Sequence, residues 1–199
     1  MTPFTTLSGV AAPLNPGALA DNVDTDTIIP SREMKSTGRT GFADGLFAPW
    51  RYIEGRTPNP DFVLNRPEYA GVSILAGGAN FGCGSSREHA VWALAEYGIR
   101  AIIAPGFAPI FAANCIRNGL LPLVLPRAVV ESIAGREVAI DLAAQTLTCA
   151  GETHSFAIEP EPKEMLLEGL DAIDLTLKLL PAIDGWTAAD RAARPWIYL

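Results

Sequence analysis

The sequence predicts an α/β fold built on a largely parallel central sheet with flanking helices. Three observations carry that expectation. Apolar strands, interrupted only by Ser73 and Arg100 near their starts, at Val72–Ala76, Ile99–Ala104 and Leu121–Leu125 alternate with helical segments at Ser86–Tyr97 and Pro109–Asn118. Strands buried on both faces read as unbroken apolar runs, and a helix between two of them makes the crossover of a parallel pair. Beyond Pro126 the pattern changes to short strands around a tight turn, which predicts a smaller antiparallel C-terminal part. The chain has 199 residues, 49% of them hydrophobic, enough for a real core, and one domain over 1–199 is expected.

Taken in order, Phe4 to Val10 reads as a short strand and Ala11 to Ala20 as a loop marked by Pro13, Pro16 and Gly17. Asn22 to Pro30 follows. Its Asp24 and Asp26 sit beside hydroxyls, a composition that makes turns or caps helices through bonds to nearby N–H groups. Ser31 to Trp50 has neither helical nor alternating periodicity. It reads as a surface loop with short helical turns, carrying Arg32, Lys35 and Arg39, with Arg51 just beyond, and three prolines extend the loop to Pro67. Long glycine-punctuated loops often serve as lids, although each cation alone is equally a solvated surface charge. Pro122 places the third strand at an edge. Ala128–Ala134 reads as a helix. Val138–Ile140, Leu147–Cys149 and Ser155–Ile158 read as antiparallel strands, with Ala150-Gly151-Glu152 as a turn. Lys163–Leu167 is a helical turn, Leu175–Leu180 is expected to bury, and Trp196 in the tail is expected to pack on the core or dock on a partner.

The formal charge is -7 and the pI about 4.8. That balance excludes a broad nucleic-acid surface and leaves a single anion site open. The three cysteines, Cys83, Cys115 and Cys149, and two histidines, His89 and His154, show no metal-ligand spacing, so no metal site is expected on this chain. A sparse, odd cysteine count fits a reducing, cytoplasmic setting. Neither a signal peptide at Met1–Val10 nor a membrane-spanning run is expected.

The chemistry concentrates between Gly77 and Ala90. A strand empties through four glycines (77, 78, 82 and 84) into Ser85-Ser86-Arg87-Glu88 and a helix. A helix start carries bare N–H groups and partial positive charge. Two hydroxyls and a guanidinium beside it suit a small carboxylate or phosphate. Ser85 and Glu88 also fit a capping box, a purely structural reading. That reading leaves Arg87 unexplained, because a cation in the first turn opposes the helix dipole. The stretch lacks the third glycine of a dinucleotide fingerprint, the lysine of a P-loop and the Gly-x-Ser-x-Gly of a nucleophile elbow. Cys83 is either a reactive thiol or a small space-filler, and His89 either packed or catalytic.

Asn80-Phe81-Gly82-Cys83-Gly84-Ser85-Ser86-Arg87-Glu88-His89-Ala90 resembles the signature of the swivelling domain of the aconitase superfamily. With Asn22–Pro30, Arg39–Phe42, Pro58–Asn65, Gly119–Pro122 and Gly169–Leu177, the likeness runs along nearly the whole chain. It is similar to the small-subunit family of the isopropylmalate dehydratases. The resemblance implies a swivelling β/β/α fold, with residues 31–67 as a substrate-recognition segment and 160–199 as a C-terminal extension. It implies a hydro-lyase of leucine biosynthesis that isomerises 2-isopropylmalate to 3-isopropylmalate. It also implies a large-subunit partner holding a 4Fe–4S cluster whose iron acts as Lewis acid. By the same resemblance Ser85 is the catalytic base, and Ser86, Arg87, Arg39 and Asp26 bind the dicarboxylate substrate. Ser31–Lys35 and Glu161–Met165 depart from the usual family pattern. A related small subunit acting on citramalate or dimethylmalate is therefore the alternative. A non-catalytic small-anion-binding module is the competing reading from another class.

Overall fold

The structure, a computed structural model, describes residues 1–15 and 17–198. Pro16 of the first loop and the terminal Leu199 lie outside the described residues. In chain order the elements are β1 (Thr6–Pro13), α1 (Thr25–Ile28), α2 (Ala48–Arg51), β2 (Tyr52–Ile53), β3 (Thr57–Pro58) and β4 (Ile74–Ala76). Then come α3 (Glu88–Tyr97), β5 (Ala101–Ala104), α4 (Pro109–Arg117), β6 (Leu121–Val124) and α5 (Arg127–Ile133). The chain closes with β7 (Glu137–Asp141), β8 (Thr146–Cys149), β9 (Glu152–Ser155), α6 (Pro160–Glu168), α7 (Ala172–Leu177) and α8 (Leu180–Ala193).

One seven-stranded sheet runs β6-β5-β4-β1-β7-β8-β9, and β2 and β3 form a separate hairpin. The strands from β6 to β1 are parallel and those from β1 to β9 antiparallel. β6 is the edge that Pro122 requires. β1 belongs to both halves: Thr6–Val10 pairs with β7, and Ala11–Pro13 pairs with β4.

Side chains alternate across each strand. Ile74, Ala76, Ala101 and Ile103 enter one apolar layer with Val130, Val138, Ile140 and Leu166. Leu75, Ile102 and Ala104 enter the opposite layer, against Val91 and Leu94 of α3 and Phe111 and Cys115 of α4. The apolar reading of the strands therefore holds because both faces are covered.

Several expectations change. The surface-loop reading of 31–67 holds only in part: residues 35–41 are largely exposed, but Phe42, Leu46, Phe47 and Val63 are fully buried and complete the α3–α4 layer. The Glu96 carboxylate of α3 ties this segment down, accepting from the N–H groups of Gly41 (2.8 Å), Phe42 (2.6 Å) and Ala43 (3.0 Å). Arg56 adds a second tie, bridging Glu33 at 2.9 Å and Asp44 at 2.5 Å. The last strand is Glu152–Ser155 rather than Ser155–Ile158. A two-residue turn at Ala150-Gly151, both left-handed, pairs Cys149 with Glu152 and sets the register. Leu175–Leu180 does not bury: Leu177 at the end of α7, Leu179 before α8 and Leu180 at its start are exposed, as are Trp186 of α8 and Trp196 beyond it. Among the described residues from 160 onward, the side chains buried in the core are Met165 and Leu166 of α6. The tail packs on α8 instead, where the Tyr198 hydroxyl donates to Asp190 at 2.5 Å. Among the described residues no helix is long and apolar enough to cross a membrane.

Candidate active site

The glycine-rich stretch leaves β4 and is laced on both sides. On one side Gly78 N–H donates to Ala20 (2.9 Å), Gly82 N–H to Val23 (2.7 Å), and Thr25 N–H to Cys83 (2.9 Å). On the other, Phe81 N–H donates to Gly106 (3.0 Å) and Ala108 N–H to Phe81 (2.9 Å). Gly82 is obligatory there. Its φ is +76°, and an added Cβ would stand 2.1 Å from Cγ of Phe111. Phe111 is itself wedged against Phe81, ring centres 5.6 Å apart.

Asp24 takes the capping role its composition offers: its side chain accepts from the N–H of Thr27 at 2.6 Å and starts α1. Thr25, 2% exposed, donates from its hydroxyl to the Ser85 carbonyl at 2.8 Å and so fixes the serine backbone. Asp26 forms an ion pair with Nη1 of Arg87, which also reaches the Ile29 carbonyl at 3.4 Å. The Nη2 and Nε edge of Arg87 makes no hydrogen bond with a described residue, and neither do the hydroxyls of Ser85 and Ser86.

The capping box does not form. α3 starts at Glu88, the residue before it is Arg87, and no side chain caps the helix. Arg87 therefore stands ahead of the first turn rather than within it. Glu88 turns to α4, accepting from the Asn118 carboxamide at 2.9 Å, while Asn118 accepts from the Trp92 indole at 3.1 Å. His89 is packed, with its ring 5.2 Å from Phe42 and 4.7 Å from Trp92.

Ser85, Ser86 and Arg87 line a cavity of about 90 Å³ with Thr25, Gly82, Gly84, Phe111 and Asn114. The first turn of α4 closes its far wall through Pro109 and Ile110. The N–H groups of Ile110 and Phe111 have no acceptor one turn earlier, because the helix begins there. Two helix starts and a guanidinium thus surround one small volume, an arrangement that favours an anion. Complete small-molecule pockets hold about 300–1,000 Å³. This one suits a single carboxylate and leaves the rest of a ligand outside.

Arg39 is placed elsewhere, its guanidinium 5.6 Å above the Trp92 ring and outside the cavity lining. Asp26 serves Arg87 and does not line the cavity. Two site residues escape a reading of the sequence, Thr25 and Asn114. Asn114 carried a signal: it sits one turn from Phe111, beside Cys115, on the buried stripe of α4. Among the described residues no three His, Cys, Asp or Glu side chains gather to hold a metal. Cys115 and Cys149 lie in opposite apolar layers, and burial pushes the Cys115 thiol well above its usual range.

The fold and site together define a class: a mixed-sheet α/β domain with a glycine-cleared strand-to-helix turn that gathers two serine hydroxyls and a guanidinium at one small cavity. Residues 1–128 match the family model of the aconitase C-terminal domain. The chain is 57% identical over 209 residues to a 3-isopropylmalate dehydratase small subunit of Cupriavidus necator, covering 100% of this chain and 99% of the relative. A crystal structure of 3-isopropylmalate dehydratase from Methanocaldococcus jannaschii superposes with a TM-score of 0.68 at 29% identity, covering 92% of this chain and 99% of that one. The chain belongs to the aconitase superfamily and, within it, to the family of 3-isopropylmalate dehydratase small subunits.

Proposed function

We propose that this chain is the small subunit of a two-chain hydro-lyase that isomerises 2-isopropylmalate to 3-isopropylmalate in leucine biosynthesis, in the cytoplasm. One observation carries the reading: free hydroxyls on Ser85 and Ser86 stand beside Arg87, on a cavity sized for one carboxylate. A site that admits only one end of a diacid needs a second chain to enclose the remainder. The family relationship points to the large subunit.

In this reading the carboxylate accepts from the unbonded edge of Arg87 and from the Ser86 hydroxyl. Asp26 holds the guanidinium in place through its ion pair. Ser85 takes the carbon-bound proton during dehydration and returns one during rehydration. A serine hydroxyl is a weak base, and each pKa unit of lowering needs about 1.36 kcal/mol of differential stabilisation. Arg87 and the two helix starts supply positive potential for the alkoxide, and closure by the partner excludes water and strengthens that effect. Arg39, which has no carboxylate partner among the described residues, is the candidate for the substrate's other end. The chain's own cysteines do not fit a 4Fe–4S cluster, so the proposal assigns it to the large subunit. There it supplies a Lewis acid for the leaving hydroxyl. Residues 1–199 then act as one swivelling domain, with 31–67 at the substrate and 160–199 as an extension.

The test is anaerobic co-expression with the large subunit, assayed against 2-isopropylmalate, citramalate and dimethylmalate. Ser85→Ala should assemble normally and lose turnover by at least about 10²–10⁴-fold, the range of general acid–base contributions. Near-normal turnover in that variant would remove Ser85 from the role of base. Preference for citramalate would move the substrate to the shorter diacid.

A further inference from the structure

We infer that Asn114 is a substrate-binding residue, donating from its carboxamide to the carboxylate held by Ser86 and Arg87. The inference rests on the proposed reading of that cavity. Asn114 and Thr25 are the two buried polar residues of the chain's described part, at 7% and 2% exposure. Thr25 is accounted for by its bond to the Ser85 carbonyl. Asn114 is not: its carboxamide makes no hydrogen bond with any described residue, and only its backbone carbonyl is used, by Asn118 at 2.8 Å.

Its carboxamide is not sealed in the core: among the described residues the fully buried side-chain nitrogen or oxygen left without a partner is Nε of Arg51. The amide of the otherwise buried Asn114 therefore stays open to the cavity it lines, with two donors and an acceptor to offer there. On a helix a side chain leans over the preceding turn. For Asn114 that turn holds Ile110 and Phe111, which line the cavity with it opposite Ser85, Ser86 and Arg87. The carboxamide therefore faces the volume where the anion is expected. Packing does not explain the residue. Its neighbours on the stripe, Phe111 and Cys115, are apolar and buried, and an apolar side chain would fill the position as well. An amide is also the group that serves an anion without adding charge beside Arg87. An aspartate of the same shape would repel it.

The experiment uses the assembled two-chain enzyme and compares Asn114→Ala and Asn114→Asp with the parent. KM and kcat are measured in both reaction directions, together with Tm and the elution of the complex. Loss of a hydrogen bond to a charged group corresponds to about a 10- to 100-fold change in affinity. The expected result is a KM raised by that factor in both variants, larger for Asp, with the complex intact. KM within twofold of the parent in both variants overturns the inference and leaves the cavity to water. If the Ala variant fails to assemble, the isosteric Asp variant carries the measurement. Failure of both to assemble assigns Asn114 to packing and also overturns it. Arg87→Lys and Ser85→Ala, assayed alongside, separate the two levels. Loss of turnover in those with parental KM in the Asn114 variants refutes Asn114 alone. Parental turnover in all of them refutes the reading of the cavity as well.

Discussion

Gly82→Ala tests what shapes the serine loop. At φ +76° an alanine meets the left-handed penalty of about 1–2 kcal/mol. Its Cβ would also stand 2.1, 2.4 and 2.6 Å from Cγ, Cδ1 and Cβ of Phe111. Phe111 is 2% exposed and locked against Phe81, so it cannot swing away, and overpacking adds about 1–3 kcal/mol. The sum is about 2–5 kcal/mol. Two other glycines calibrate the backbone part alone. Gly84, at +88°, would bring a Cβ no nearer than 3.4 Å to Asp24, and Gly151, at +86°, meets nothing within 4 Å. Gly84→Ala and Gly151→Ala should each cost about 1–2 kcal/mol. Urea unfolding of the three variants measures the series, with free energies from linear extrapolation. On a Phe111→Ala background, Gly82→Ala should cost less than in the parent, since the ring is gone, yet more than Gly151→Ala, because the Cβ of residue 111 still stands 2.6 Å away. Equal costs for all three glycines, or an unchanged cost on that background, would refute the claim that Phe111 fixes the loop.

Thr25→Val keeps the shape and removes the hydroxyl bonded to Ser85; unfolding should show a loss of about 1 kcal/mol, and turnover of the assembled enzyme should fall about tenfold as the serine drifts. Glu96→Gln tests the tie on residues 41–43. The N–H groups of Gly41 and then of Phe42 and Ala43 hold the Glu96 carboxyl below its ordinary 4.5. The stabilisation is therefore complete above that value and fades as pH falls through the lowered one. The variant should lose about 1 kcal/mol at neutral pH and show a shallower acid limb in thermal melts across pH 3–7. Trp186→Ser and Trp196→Ser remove side chains 62% and 66% exposed, and each should change stability by no more than about 0.5 kcal/mol. A loss above about 2 kcal/mol by the same melts would place these indoles in a core.

The alternation of apolar strands and helices from Val72 to Leu125 was legible because periodicity and burial agree there. β1 was legible only to Val10. Ala11-Ala12-Pro13 has little strand preference of its own and extends by pairing with β4. Phe42, Leu46 and Phe47 show no local period, so their burial is set by Glu96 and the α3 surface, which a local pattern does not encode. The apolar run at Leu175–Leu180 misled for the opposite reason, since hydrophobicity without a facing element gives no burial. At the site, Ser85, Ser86 and Arg87 converge in the structure, and Asp26 joins them through its ion pair. The sequence left Ser85 with two competing roles, helix cap or, by resemblance, catalytic base. The cap was eliminated by a two-residue shift in where the helix begins, a matter of backbone geometry that composition does not fix.

The divided allegiance of β1 bears on how the polypeptide reaches its native state. This strand is synthesised well before either of its partners, which lie at residues 74–76 and 137–141. Both pairings are of long sequence separation, and such topologies fold slowly because a large loop must close before any contact rewards it. The ribosome thus releases β1 with exposed ladder groups well before β7 exists to cover one half of it. During that interval the strand is an open edge of the kind that recruits other chains. Folding yield should therefore depend on how quickly β4 and β7 follow, and substitutions that slow their docking should appear as aggregation during synthesis before they appear as lost stability.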